Sequence, residues 1–315
     1  MSVLVTGGCG YLGLHVLKRL SEEGWSVVSY DITSIDLSLL ENFYRIDAKR
    51  IKFVKGDIQD VFKIIETVKR YDVEYVVHLA TLLTRESEEN PLRAYKVNIE
   101  GTLNLLEVSR LFDIKKLVFA SSEAVYGVTG EEPVHEEYPK NPATVYGITK
   151  LAAEYLGIRY SNIYGVNFVA LRYPMLYGPG AYAGGTRPIN YMIEAAAKNV
   201  PATIPFVEHM KVEPLYVDDG VKALYLALKT ERTPSNVYNI GIGKMYTLKE
   251  ILEAIRMTYP KAEISFGDQP GIFVYPVRGP LSIRRAREEL GYTPDYDIVS
   301  GVRKYSQVLV RGYIS

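Results

Sequence analysis

Tyr146 and Lys150 stand four residues apart in the stretch KNPATVYGITKLAAEY (140–155). At that spacing a phenol and an ammonium group share one face of a helix, a turn apart. A phenol is a poor base near neutrality, with a reference pKa of about 10, but a neighbouring positive charge favours its ionised form. The pair could therefore be a proton-exchanging site, or a solvated tyrosine and lysine on an exposed surface. The choice rests on the elements that surround them.

A second candidate for chemistry lies at the start of the chain. The segment VTGGCGYLG (5–13) follows an apolar run and opens a helix, with Gly7, Gly10 and Gly13 in the pattern G-x-x-G-x-x-G. Glycines there let the chain turn tightly and approach a pyrophosphate. The first helical residues, Tyr11, Leu12 and Gly13, supply amides and the positive end of the helix dipole. Glycine-rich strand–helix turns also occur for packing alone, so context matters. Asp31 closes the second apolar run 18 residues after Gly13. A carboxylate at that distance accepts ribose hydroxyls and repels a 2′-phosphate. Ile32 and Thr33 follow it, with no adjoining Lys or Arg, which favours NAD over NADP. The competing reading makes Asp31 a turn or cap residue.

The elements alternate. Short apolar runs at 2–6, 26–30, 51–54, 74–80, 115–120 and 166–172 read as buried parallel strands. Between most of them lie stretches with helical apolar spacing, such as Leu14, Leu17 and Leu20, or Val61, Ile64, Ile65 and Val68. The order predicts an α/β fold, a Rossmann-type doubly wound parallel sheet. Asn90-Pro91 opens a long helix to about Phe112, with Asn as cap and Pro at the first position. After Arg172 the texture changes to a Gly-, Pro- and Tyr-rich loop (173–190), in which Tyr173, Tyr177 and Tyr182 are candidates to line a pocket. Helices are expected at 190–199, 217–229, after the Thr247/Glu250 capping box, and over 282–290 with Gly291 as a left-handed stop; NVYNIG (236–241) reads as a strand returning to the sheet.

These motifs, in this order over nearly the whole chain, resemble the extended short-chain dehydrogenase/reductase family, which includes nucleotide-sugar epimerases and dehydratases. GDIQD (56–60) resembles the family's adenine contact, implicating Asp57 and Ile58. VVHLAT (76–81) resembles the strand end lining the cofactor, with Leu79, Ala80 and Thr81. KVNIEGT (96–102) carries Asn98, which in the family supports the site from a helix. FASSEAVYG (119–127) places Ser122 at the family's hydroxyl position, and YGITK (146–150) supplies Tyr146 and Lys150. The resemblance also implies a cofactor contact at Tyr173 and a homodimer made by helices near 91–112 and 143–163, which contain Leu103, Leu106, Leu151 and Leu156. Its mechanism would have Lys150 and an oxidised nicotinamide lower the Tyr146 pKa, so that Tyr146 takes the proton of a substrate hydroxyl while Ser122 orients the oxygen.

Which reaction follows is narrowed by departures. Sugar dehydratases of the family carry an Asp-Glu pair after the site hydroxyl, where this chain has Glu123 and Ala124. The segment LRYPMLYGPG (171–180) resembles the epimerases, although Met175 replaces the usual substrate-contacting asparagine. VEPLYVDD (212–219) resembles the family's R-D-Y-I-H-V-x-D region, with Val212 at the arginine position. Lys211, Arg187 or Arg278 would then hold a pyrophosphate. Sugar epimerisation leads; a dehydrogenase of a small hydroxy substrate such as L-threonine follows, supported by HLATLL and by GGT (184–186). A non-catalytic NAD-binding module is the third reading. Ser122, Glu123, Tyr146, Met175, Arg187 and Arg278 are the expected substrate contacts.

Composition sets the outer bounds. The chain has 315 residues, and 37 Lys plus Arg balance 37 Asp plus Glu, so no global field recruits nucleic acid or a membrane. No apolar run approaches a membrane span, and Met1 leads into a strand-like segment with no signal peptide. The single cysteine, Cys9, excludes an internal disulfide and fits the cytoplasm. A tyrosine count of 26 against Gln59, Gln269 and Gln307 alone leans towards a thermophile. The four histidines show no metal-binding spacing. His78 reads as a packed residue beside the cleft. Two domains are expected: a cofactor domain of 1–172 plus 212–241, and a substrate domain of 173–211 plus 242–315.

Overall fold

In the computed structural model, described for residues 1–35, 41, 46–181, 187–269 and 278–312, the first strand, β1 (Ser2–Thr6), is buried along its whole length. That is the pattern of a strand covered on both faces. It pairs in parallel with β2 (Ser26–Asp31) on one side and β4 (Tyr75–His78) on the other. β3 (Ile51–Lys55), β5 (Lys116–Ser122), β6 (Phe168–Tyr173) and β11 (Val237–Asn239) complete a seven-stranded parallel sheet. Its order is β3-β2-β1-β4-β5-β6-β11. The reversal of winding between β1 and β4 opens a crevice at the carboxyl ends of those strands, where such folds bind ligands. This is the expected Rossmann-type fold.

Helices cover both faces of the sheet. α1 (Tyr11–Glu22) buries Leu14, Val16, Leu17 and Leu20, each worth about 2 kcal/mol of transfer free energy. α2 (Val61–Arg70) begins at Asp60, whose side chain accepts from Lys63 N, and buries Ile64 and Val68. The short α3 (Thr84–Glu89) precedes the long helix that Asn90 and Pro91 announce; Asn90 accepts from Arg93 N at 3.0 Å. That helix, α4, runs through Leu111 but is not uniform. Pro91–Ala94 is α-helical, Tyr95–Glu100 is one π-helical turn, and Gly101–Leu111 is α-helical again. Hydrophobic spacing could not reveal the π turn, which contains the buried Asn98.

The run expected as a strand over 74–80 leaves the sheet after His78, because Leu79 and Ala80 instead pack against Gly7. The catalytic candidates ride on α5 (Val145–Tyr164). Further on, β7 (Met175–Tyr177) pairs with β10 (Pro214–Tyr216), followed by α7 (Val217–Lys229) over the residues expected. α6 (Arg187–Lys198) starts three residues earlier than read from sequence.

Among the described residues a separate apolar cluster gathers α6, β8 (Ala202–Phe206), β9 (Lys211–Val212), α8 (Leu248–Arg256), β13 (Ile264–Gln269) and α10 (Ile298–Gly312). β12 (Tyr246–Thr247) pairs with β9, and the Thr247/Glu250 capping box is present. α9 (Arg284–Leu290), from the segment expected in the smaller domain, packs Ala286 and Leu290 into the sheet's own core. Gly291 ends it at φ 67°, the left-handed stop expected. No helix among the described residues is long and apolar enough to cross a membrane.

Candidate active site

The glycine turn has the geometry that a close-lying ligand requires. Gly7 sits at φ 67°, and a Cβ there would lie 2.7 Å from Ala80 N. A Cβ on Gly13 would lie 2.2 Å from Gly7 O. Only glycine allows this turn to lie flat on the exit of β4 and open α1. Gly10 is the N-cap and provides no side-chain cap, so the amide end of α1 is left to backbone and ligand. Asp31 fastens the turn: Oδ2 accepts from Cys9 N at 3.0 Å, and Oδ1 accepts from Thr33 N and Oγ1 at 2.9 and 2.8 Å. It is thus a turn residue as well as a candidate ribose acceptor, since two carboxylate oxygens offer about four acceptor positions. This cradle fits a dinucleotide.

Other expected cofactor contacts divide. Leu79 N donates to Thr6 O at 3.1 Å, holding Leu79–Thr81 along the crevice. Asp57 accepts from Gln59 N at 2.9 Å in the loop beyond β3. Ile58, however, buries its side chain in the core against Gly101, so only its backbone lies open to the role expected of it. Tyr173 also turns its side chain away: its hydroxyl donates to Gly220 O at 3.0 Å and the ring is buried with α7. Tyr177 is likewise a core residue, while Tyr182 and 184–186 fall outside the described residues.

α5 is aimed at both ends. Thr144 accepts from Gly147 N at 3.0 Å, Glu88 accepts from Val145 N at 2.7 Å, and Gly165 at φ 71° ends the helix. A Cβ on Gly147 would lie 2.6 Å from Ala124 O, so glycine lets α5 touch the turn after β5. That contact puts Tyr146 beside Ser122. Ser122 Oγ accepts from Ala124 N at 3.1 Å and bonds to the Tyr146 hydroxyl in the sense that favours phenolate. Lys150 is buried, donates to Ala120 O at 2.9 Å, and holds its Nζ 5.6 Å above the Tyr146 ring centroid.

The electrostatics differ from the expectation in one respect. Burial pushes the Tyr146 phenol up to about 12; the Ser122 bond opposes this and Glu123 adds to it. Lys150 is pushed down to about 7 by burial, against the pull of Glu154. The polypeptide alone keeps the phenol protonated, because desolvation outweighs every favourable partner.

Asn98 belongs to a chain of hydrogen bonds that crosses the candidate site. Thr102 Oγ1 donates to Asn98 O at 2.7 Å, so it accepts from His78 Nε2 at 2.9 Å. His78 Nδ1 then accepts from Thr6 Oγ1 at 2.7 Å. Asn98 Nδ2 donates to Thr149 Oγ1 at 2.9 Å, which donates to Tyr146 O at 2.8 Å. Asn98 Oδ1 accepts from Leu82 N at 2.7 Å and from Thr81 at 3.0 Å. This line joins the cofactor strand to the catalytic helix and holds His78 neutral, its pKa lowered to about 3 by burial and by Lys150.

The substrate candidates are scattered. Glu123 pairs with Arg278 at 2.8 Å, and Arg278 also donates to Glu123 O at 2.6 Å, beside Tyr146. Met175 lies half-buried on β7, and Arg187 is exposed at the start of α6. Val212 is buried in the smaller cluster, and Lys211 pairs with Glu131 at 2.9 Å. Among the described residues no group of three His, Cys, Asp or Glu could hold a metal. Sequence reasoning missed Glu154 and Arg172, a buried pair behind Lys150. Glu154 lies four residues after Lys150, so the spacing that drew attention to Tyr146 could have found it.

Residues 3–241 match the model of the NAD dependent epimerase/dehydratase family. The chain belongs to that family. It is an NAD-dependent enzyme. A UDP-glucose 4-epimerase of Lacticaseibacillus casei is 30% identical, over 96% of this chain and 94% of its own. The Thermus thermophilus UDP-glucose 4-epimerase in complex with NAD superposes with a TM-score of 0.87 at 29% identity, covering 98% and 99% of the two chains. The Thermotoga maritima UDP-glucose 4-epimerase with UDP-glucose also gives 0.87, at 27% identity over the whole of both chains.

Proposed function

We propose that this chain is a nucleotide-sugar 4-epimerase acting on a UDP-hexose, with NAD bound across the crevice. The observation that carries the reading is the convergence of Ser122, Tyr146 and Lys150 at the carboxyl end of β5, next to the glycine turn. When bound, NAD supplies the hydride acceptor, and its cationic nicotinamide supplies the charge that lowers the Tyr146 pKa. Tyr146 then takes the proton of a sugar hydroxyl and later returns it, Ser122 orients that oxygen, and Lys150 holds the ribose. Asp31 accepts from the adenosine ribose, and Asp57 with the Ile58 backbone lies at the adenine. Arg278, which pairs with Glu123 beside Tyr146, takes over the pyrophosphate together with Arg187, in place of the arginine and asparagine that Val212 and Met175 replace. The substrate lies between a cofactor domain (1–172 plus 212–241) and a smaller domain (173–211 plus 242–315).

The same reading includes a cytoplasmic homodimer. Leu92 and Tyr95 of α4 and Ile148 and Tyr155 of α5 are all more than half exposed, an apolar face that a symmetry mate would cover. Leu106, named from sequence, is instead fully buried in the core.

The test is product formation. Purified protein given UDP-glucose without added NAD is expected to form UDP-galactose, because the cofactor is regenerated within each cycle. NADH accumulating with L-threonine and added NAD, with no sugar interconverted, would overturn the assignment in favour of a dehydrogenase.

A further inference from the structure

The face of α5 that carries Tyr146 and Lys150 continues for another turn to Glu154, which is fully buried. Its carboxylate is gripped from two strands. Arg172 of β6 donates from Nε at 2.9 Å to Oε1 and from its terminal nitrogen at 2.6 Å to Oε2. Ser121 of β5, the neighbour of Ser122, donates to Oε1 as well. Arg172 is itself fixed by Tyr126 at 2.7 Å and by Glu136 O at 3.1 Å, and Tyr126 donates to Asn239 at 2.7 Å. Burying two charges is costly, and such a pair contributes little stability compared with apolar packing. Its position behind the catalytic lysine suggests another use.

We propose that Glu154, clamped by Arg172 and Ser121, is a positioning residue for the reaction, keeping Lys150 as an ammonium ion in register with Tyr146. Lys150 meets a ring face of Phe119 at 4.7 Å and the Ala120 carbonyl, neither of which carries charge. The charged or titratable groups around it are Tyr146 and Glu154 on its own helix, His78 of β4, held neutral, and Arg172 of β6, which reaches it through Glu154. Glu123 acts on Tyr146 from the turn after β5. Glu154 is therefore the one anion among these that opposes the desolvation of Lys150, and Arg172 sets how much of that field is felt. The inference rests on Lys150 serving the family's proton chemistry, and not on which sugar is turned over.

Charge tuning and simple scaffolding give different signatures when the two partners are neutralised separately. The experiment is an NMR titration of protein carrying 13C at lysine Cε, without cofactor or substrate, with the Lys150→Met spectrum used for assignment. Glu154→Gln is expected to lower the Lys150 midpoint by about one pH unit, and Arg172→Gln to raise it by less than half as much, because Arg172 acts on Lys150 only through Glu154. The double variant Glu154→Gln/Arg172→Gln, with no buried charge pair, is expected to lie between them, and it stands in if a single variant does not fold. Its midpoint below that of the unaltered protein then supports the proposal. Movement of both single variants in one direction, or an unmoved midpoint in any folded variant, overturns it. Absence of sugar epimerisation by the unaltered protein, with the opposite shifts intact in the variants, would count against the substrate assignment alone.

Discussion

Tyr146 carries the sharpest consequence at the residue scale. Its ring packs near Lys150 and its hydroxyl meets Ser122, so removing the oxygen deletes the proposed proton acceptor and little else. Tyr146→Phe is expected to lower turnover about a thousandfold while calorimetry finds NAD affinity nearly unchanged. A fully active Phe variant would end the assignment. His78 gives a pH-dependent consequence. Folding lowers its pKa to about 3 from the ordinary imidazole value of about 6.5, so between those values the unfolded chain binds a proton that the folded chain excludes. Stability is therefore fully present above about 6.5 and is lost as pH falls through that window. From pH 7 to pH 5, denaturant unfolding should show the unaltered protein losing about 2 kcal/mol more than His78→Gln, whose side chain does not titrate. Equal losses in the two proteins would remove His78 as the cause.

Among the elements, α5 does the most to assemble the site, and glycine at 147 sets how closely it can lie. A methyl group at that position would meet Ala124 O at 2.6 Å, and a backbone oxygen cannot swing aside as a side-chain tip can. Gly147→Ala is expected to push α5 off the turn after β5, separating Tyr146 from Ser122. Turnover should fall at least tenfold, with a stability loss of about 2 kcal/mol and NAD affinity retained. Steady-state kinetics beside thermal unfolding would check this; unchanged turnover would show that the close approach is not needed. The π turn in α4 works at the same scale. It carries Asn98, whose amide bonds to Leu82 O at 3.1 Å and to Thr149 at 2.9 Å, so α4 and α5 are locked in register.

For the whole molecule, the apolar face on α4 and α5 stands out as exposed among the described residues. Leu92, Tyr95, Ile148 and Tyr155 lie on the outer sides of two helices whose inner sides build the site. Dimerisation would brace both helices from outside. Sedimentation is expected to find a dimer at micromolar concentration, and Tyr155→Arg to yield monomers through burial of an unpaired charge. A monomeric unaltered protein would refute the dimer. Cohesion within the chain has a polar component too. Glu213 accepts from Leu281 N at 2.7 Å, Ile242 N at 2.9 Å and Gly243 N at 2.8 Å, tying distant loops beside β10.

Local features of the chain determined most of the fold and pointed to the residues of the candidate site. Strand runs, the glycine turn, the Asn90-Pro91 start, the Thr247/Glu250 box and the Gly291 stop each depend on neighbours a few residues away, so they can be read directly. The Tyr146–Lys150 pair was legible for the same reason. Tertiary structure alone decided that Tyr173 and Ile58 turn their side chains into the core, that the π turn sits at Asn98, and that Arg172 rather than solvent answers Glu154. It also decided that burial raises the Tyr146 pKa within the polypeptide. These outcomes depend on which groups share a desolvated interior across tens of residues of sequence, and the electrostatic field there is a sum over contacts that no local pattern encodes.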